Sequence, residues 1–219
     1  MKKRLCILLA SLMALTSAPI QAEEQDTTEL ATTYLRQAYD ELSDESILLA
    51  EQYVQTTTSA VLQFALTDLK EIAQKIDEME ALPANEREPL LEPWAAELAT
   101  KVETNDFLKE ISIESTPRFF VSMGVNTYNE LFNDAIQAYN NTFSPTDKIT
   151  LLTLIDGISV EQLRLALESD VTYKENTAIQ AEQLTKQAEQ KLIAPSIARS
   201  LVDQLPDGEY KTALLTRLT

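Results

Sequence analysis

From Ser46 to Met79 an apolar side chain returns at three- and four-residue steps, through Ile47, Ala50, Val54, Val61, Ala65, Leu69, Ile72, Ile76 and Met79, with Thr58 filling the one missing step. A period near 3.6 residues places all of these on one side of an α-helix and on no single face of a strand. The spacing predicts one continuous helix of about 34 residues, roughly 50 Å long. Such a rod is not stable alone in water and needs partner helices along its length.

The rest of the chain supplies those partners. Leu30, Tyr34 and Ala38 step along a helix over 27–41, and Ser43-Asp44 marks the start of the next. "ALPANEREPLLEPW", residues 81–94, interrupts the pattern with three prolines among glutamates and reads as an exposed connection, with Pro93 opening a helix that carries Trp94, Leu98 and Val102. Thr104-Asn105 caps a short helix bearing Phe107, Leu108 and Ile111. Thr116-Pro117 signals a further start, Gly124 to Asn126 a break, and Thr127-Tyr128-Asn129-Glu130 a reciprocal capping box. Ser144-Pro145 caps a helix ending at Gly157, and Ser159 caps one running to about Ser169. A long helix over 173–193 follows, with Glu175, Glu182 and Glu189 as a solvated flank beside Ala181, Leu184 and Ala188. Pro195 and Pro206-Asp207-Gly208 delimit two last short helices. Strand signals are nearly absent, and the chain has only three glycines, Gly124, Gly157 and Gly208. The expected class is all-α: an elongated helical bundle with no significant sheet, forming a single domain over 23–219.

Ahead of that domain, residues 1–22 read as a secretory signal peptide. Lys2-Lys3-Arg4 form a basic head, Leu5 to Ala18 an apolar run, and Ala22 a small residue suited to cleavage. The apolar run is shorter than the ~20 residues that span a bilayer, so no integral membrane span is expected in the mature chain. A periplasmic location is the first expectation, with full secretion as the other outcome of the same signal.

Composition then removes whole classes of chemistry. There is no histidine, and the one cysteine, Cys6, lies inside the leader. Zinc hydrolases, Ser-His-Asp and Cys-His nucleophiles, haem and iron–sulfur ligation and the Glu-x-x-His di-iron bundle all need side chains the mature chain lacks. The three glycines lie too far apart to cradle a phosphate, and no Asp-x-Asp-x-Asn-Gly calcium loop occurs, so neither cofactor nor metal is expected. The formal charge of −17 becomes three units more negative once the leader is removed. Such a surface repels nucleic acid, which also disposes of a DNA-reading interpretation of the helix-turn-helix outline at 148–169.

Two candidate sites remain. Glu114-Ser115 resembles the Glu-Ser pair of lytic transglycosylases, which implies a carboxylate-based cell-wall enzyme acting through Glu114. The same dipeptide recurs at Glu45-Ser46 and Glu168-Ser169, and the loop that should follow is missing at Met123-Gly124-Val125. The second is the aromatic stretch from 115 to 143. It reads first as a core helix, since Tyr128, Leu131, Phe132, Ala135 and Tyr139 share one face. Just before its break, Phe119, Phe120 and Met123 beside Arg118 form a candidate apolar binding lip, with Arg118 placed to anchor an anionic group. The resulting expectation is a non-enzymatic, exported helical protein working through contacts with another envelope protein or a peptide, as an adaptor or a chaperone-like binder. The alternative is a module for a small apolar ligand or lipid, with its pocket over 118–143.

Overall fold

The computed structural model describes residues 27–219, so the leader expected at 1–22 lies outside the described residues. Among the described residues the chain is all-α, with eleven helices and one two-stranded hairpin. None of these helices is long and apolar enough to cross a membrane. The chain divides into two compact units, the boundary falling between Leu66 and Thr67 inside a helix.

The first unit holds α1 (Thr27–Glu41), α2 (Asp44–Val54) and the opening of α3 (Ala60–Glu80). Helices α1 and α2 form a hairpin whose seam buries Ala31, Leu35, Ala38 and Tyr39 against Ala50 and Val54. Tyr34 and Tyr53 stack at 4.3 Å, and the Tyr39 hydroxyl donates to the Ala65 carbonyl at 2.6 Å. Ser43 starts α2 as expected: its Oγ accepts from the Ser46 amide at 3.2 Å while Ser46 Oγ accepts from the Ser43 amide at 3.3 Å.

The continuous 46–79 helix does not form. It is two helices, α2 and α3, separated by residues 55–59. The reason is chemical: Thr56 and Thr57 donate their hydroxyls to the Tyr53 and Val54 carbonyls at 2.7 and 2.9 Å, and Ser59 Oγ accepts from the Leu62 amide. A run of four hydroxyl side chains offers the backbone partners outside the helical ladder, and apolar periodicity cannot register that competition.

The second unit begins with the remainder of α3, then α4 (Ala84–Thr104) and α5 (Asp106–Glu110). A hairpin of β1 (Ser112–Ile113) and β2 (Thr116–Pro117) leads into α6 (Arg118–Leu131) and α7 (Asn133–Thr142). Helices α8 (Pro145–Asp156), α9 (Glu161–Glu189), α10 (Pro195–Val202) and α11 (Glu209–Arg217) complete it. The longest helix is therefore α9, at 29 residues.

Three boundaries differ from the sequence expectation. The "exposed connection" of 81–94 is mostly helix: α4 runs through Pro89 and Pro93, burying Ala84, Arg87, Leu91 and Trp94. Asn85, Pro89 and Pro93 lie on its exposed side, four residues apart, so the carbonyls that lose a donor there meet water. Helix α6 continues past Gly124, and Thr127 caps nothing; its hydroxyl bonds back to the Met123 carbonyl at 2.9 Å. Residues 161–189 form one helix because nothing around Asp170 breaks it and the buried series Leu163, Leu167, Val171, Ala178, Ala181 runs straight across. Ser159 leaves the capping role and donates instead to Glu92 at 3.0 Å.

Gly124 serves packing. A Cβ there would lie 2.5 Å from both methyl carbons of Leu163, a fully buried residue of α9. The missing side chain lets α6 sit directly on α9, while Phe120, one turn earlier on the same buried face, lies edge-on to Trp94 of α4 at 5.3 Å. Helix α6 is thus held between α4 and α9.

A buried polar knot fixes α3, α4 and α5 together. Asp68 accepts from Lys101 Nζ at 2.5 Å and from Asn105 Nδ2 at 3.1 Å, and Lys101 also reaches Glu71 at 2.8 Å. Asn105 Oδ1 in turn accepts from the amides of Phe107 and Leu108, the cap read from the sequence. Burial opposes the Lys101 charge, but the hydrogen bonds it donates to Asp68 and Glu71, with their negative charges, outweigh it and leave the ammonium with a raised pKa.

The end of the chain packs on α9. Ala178, Ala181 and Ala188 meet Ala198, Val202, Leu205, Leu214 and Leu218. The glutamates expected to be a solvated flank are ion-paired: Glu175 with Lys148 of α8, and Glu182 and Glu189 with Arg217 of α11 at 2.9 and 2.8 Å.

Two substitutions test this account. Gly124→Val is expected to destabilise by about 1–3 kcal/mol through overpacking, measured by urea unfolding, and Leu163→Ala in the same chain should recover part of the loss. Asp68→Ala removes a buried acceptor of the Asn105 carboxamide and a charge partner of Lys101, and it should cost about 2–4 kcal/mol in the same measurement.

Candidate functional site

The four residues expected to form an apolar lip do not share one exposed surface. Phe120 is fully buried and Met123 nearly so, both on the core side of α6. Phe119 is half-buried, tilted against Trp94 at 6.0 Å, and only Arg118 is exposed. Both phenylalanine rings pack against the buried Trp94 indole. Glu114 sits on the hairpin turn, where it and Ser115 take left-handed φ values of 48° and 67°, and its carboxylate accepts from Gln162 Nε2 at 2.7 Å.

A more developed concavity lies one to three turns further along α6. An open cleft of about 870 Å³ is bounded by Glu80 at the end of α3, Leu82 in the following turn, Arg87 of α4, and Asn126, Asn129, Glu130 and Asn133 of α6 and α7. It is broad and open to solvent, and six of its seven lining residues are polar or charged. Arg87 is buried, and its Nη2 donates to both oxygens of Glu130 at 3.1 Å. One residue along, Glu88 accepts from the Tyr128 hydroxyl at 3.2 Å. Two charged or polar clasps therefore join α4 to α6 at the cleft and hold its walls at a fixed separation.

The three asparagines occupy positions i, i+3 and i+7, one face of a helix. The register survives the junction at Phe132, whose amide bonds to the Tyr128 carbonyl and whose carbonyl accepts from the Ile136 amide at 2.9 Å. All three side chains are exposed, and among the described residues none of their carboxamides has a hydrogen-bond partner.

Behind the asparagine row is a small enclosed cavity of about 10 Å³ lined by Phe132, Ile136, Tyr139, Leu151, Ile155 and Leu167 among others. That is room for a single water and not for an acyl chain. The Tyr139 hydroxyl and Asn140 Oδ1, both of them buried and both on residues lining this cavity, have no partner within the protein, so a water there would satisfy polar groups that are otherwise costly to bury.

Burial pushes the Tyr128 phenol up to about 12, with the Glu88 carboxylate adding to the effect. Tyr139 is raised to about 12 in the same way, by burial first and then by the Glu175 charge. Among the described residues no cluster of three or more His, Cys, Asp or Glu side chains is arranged to hold a metal ion.

The chain matches no known protein family, no curated protein and no solved structure. The cleft is thus read from its own chemistry. Sequence reasoning missed it for two reasons. The sequence pattern puts Arg87 in an exposed connection and Asn126 in a helix break, which hides its alignment with Asn129 and Asn133. The i, i+3, i+7 spacing was the signal available.

The tyrosine environments make a spectroscopic prediction. In a phenolate titration followed by ultraviolet absorbance, two tyrosines should resist ionisation until about pH 12, and Tyr128→Phe should remove one of them. Because unfolded tyrosines release their protons near the ordinary value of about 10, the stability these groups contribute is complete below pH 10 and is lost as pH rises toward 12.

Proposed function

We propose that the chain is a non-enzymatic, exported helical protein that acts in the periplasm through contacts with another envelope protein, as an adaptor. The observation that carries this reading is the open cleft at Arg87, Asn126, Asn129, Glu130 and Asn133, a surface of uncommitted hydrogen-bonding groups on clasped helices. Rigid walls with unpaired polar side chains suit recognition, since little ordering entropy is lost on binding. The export signal read over 1–22 and a mature composition without histidine or cysteine support the same reading.

A chaperone-like variant draws less support. Holding unfolded apolar segments calls for an open apolar groove, and Phe120 and Met123 fill the space beside Trp94 with the chain's own side chains. An apolar-ligand module meets a similar obstacle in the water-sized cavity behind Phe132.

A photo-crosslinking amino acid at Asn129, compared with one at exposed Thr172, tests the proposal in intact cells. The expected outcome is a discrete adduct with one envelope protein from position 129 alone, in a chain that fractionates with the periplasm after losing its leader. A chain retained in the cytoplasm, or identical adducts from both positions, would overturn it.

A further inference from the structure

We propose that the cleft between α4 and α6 binds an extended peptide segment through its backbone, with a basic side chain of that segment seated beside Glu80. The inference rests on the contact-based reading above and names the chemistry of the partner.

Three features of the cleft point to this ligand class. The first is the match of groups. A carboxamide offers two N–H donors and a carbonyl acceptor, the complement of a peptide unit's own C=O and N–H. Asn126, Asn129 and Asn133 present three such groups, exposed and without partners.

The second is spacing. At a rise of 1.5 Å per residue the three lie about 4.5 and 6 Å apart along the helix axis, roughly 10.5 Å in all. An extended chain advances about 3.3 Å per residue, so three residues of it run the length of the row.

The third is charge. Glu130 is engaged by Arg87, which leaves Glu80 as the acidic lining residue without an ion pair among the described residues. The overall charge of −17 draws a basic segment toward the protein as a whole. A carbohydrate fits less well: Leu82 is the one apolar residue of the lining, and no aromatic ring there offers a sugar a stacking face.

Recognition through carboxamides reads the backbone and leaves the side chains of the bound segment largely free, except at Glu80. The partner is then selected by being extended and basic at one position, in the manner of an unfolded loop or terminus of an envelope protein.

The test uses nitrogen-15-labelled protein and three blocked hexapeptides: one alanine-rich with a central lysine, the same sequence with glutamate for lysine, and the lysine peptide N-methylated at alternate amides. With the lysine peptide at millimolar concentration, the side-chain amide resonances of Asn126, Asn129 and Asn133 are expected to move together. The glutamate and N-methylated peptides should each bind at least tenfold more weakly, as should the lysine peptide to the Asn126→Ala/Asn133→Ala variant. Both of those positions are exposed, and an unchanged backbone amide spectrum will show that the variant folds. Equal binding of the N-methylated peptide, shifts confined to residues outside the cleft, or no shift at 10 mM would overturn the inference. The crosslinking readout separates it from the broader proposal: an adduct from position 129 that persists in the double variant keeps the contact reading and removes the peptide site.

Discussion

The absence of a side chain at Gly124 is the constraint on which the second unit turns. Helix α6 meets Leu163 of α9 at Gly124 and Trp94 of α4 at Phe119 and Phe120, and a Cβ at Gly124 would lie 2.5 Å from both Leu163 methyl carbons unless that buried side chain moved. Close-packed interiors transmit such a constraint, because neighbouring side chains have few alternative positions. Once α6 is seated, Tyr128 and Glu130 face Glu88 and Arg87 across a fixed gap, and the asparagine row is turned toward the cleft. The geometry of the polar site is thus a consequence of an apolar contact on the far side of the same helix.

Because residues 27–219 carry no cysteine, specificity of packing there has to come from other directional interactions. The Asp68–Lys101–Asn105 knot provides one in the interior, since each group satisfies another and Asn105 also caps α5. Arg217, forked between Glu182 and Glu189, provides one near the surface. That fork raises the guanidinium's pKa through the hydrogen bonds it donates to Glu189 and Glu182, and in return holds the Glu189 carboxyl below its usual range. Its energetic weight is small in water, but it fixes which turn of α9 the last helix meets.

What the sequence made legible was local chemistry that acts within one turn. Ser43, Asn105 and Ser144 cap the helices read from them, and Gly157 ends α8 as expected. The all-α class followed from periodicity and from the scarcity of glycine. What stayed hidden depended on competition or on tertiary contact. The hydroxyls at 56–59 split a helix that apolar spacing called continuous, and Leu163 gave Gly124 a packing role where its backbone freedom suggested a break. Proline misled at 89 and 93 for the same reason: the penalty of a missing donor is small where the orphaned carbonyl faces water, and only the fold says which face that is.

The placement of the aromatic residues follows the same logic. Aromatic residues drew attention to 118–123 because exposed apolar groups would be informative there. A helix that carries two aromatic side chains beside a tryptophan, however, has an obvious place to put them, and Phe120 and Phe119 go to Trp94. Asparagine is the opposite case. Its helix propensity is poor, it contributes nothing to the core from an exposed face, and water satisfies it at no cost to the fold. Three of them aligned over two turns of α6 and α7 add nothing to the packing that holds those helices, and this is the placement on which the contact reading proposed above rests.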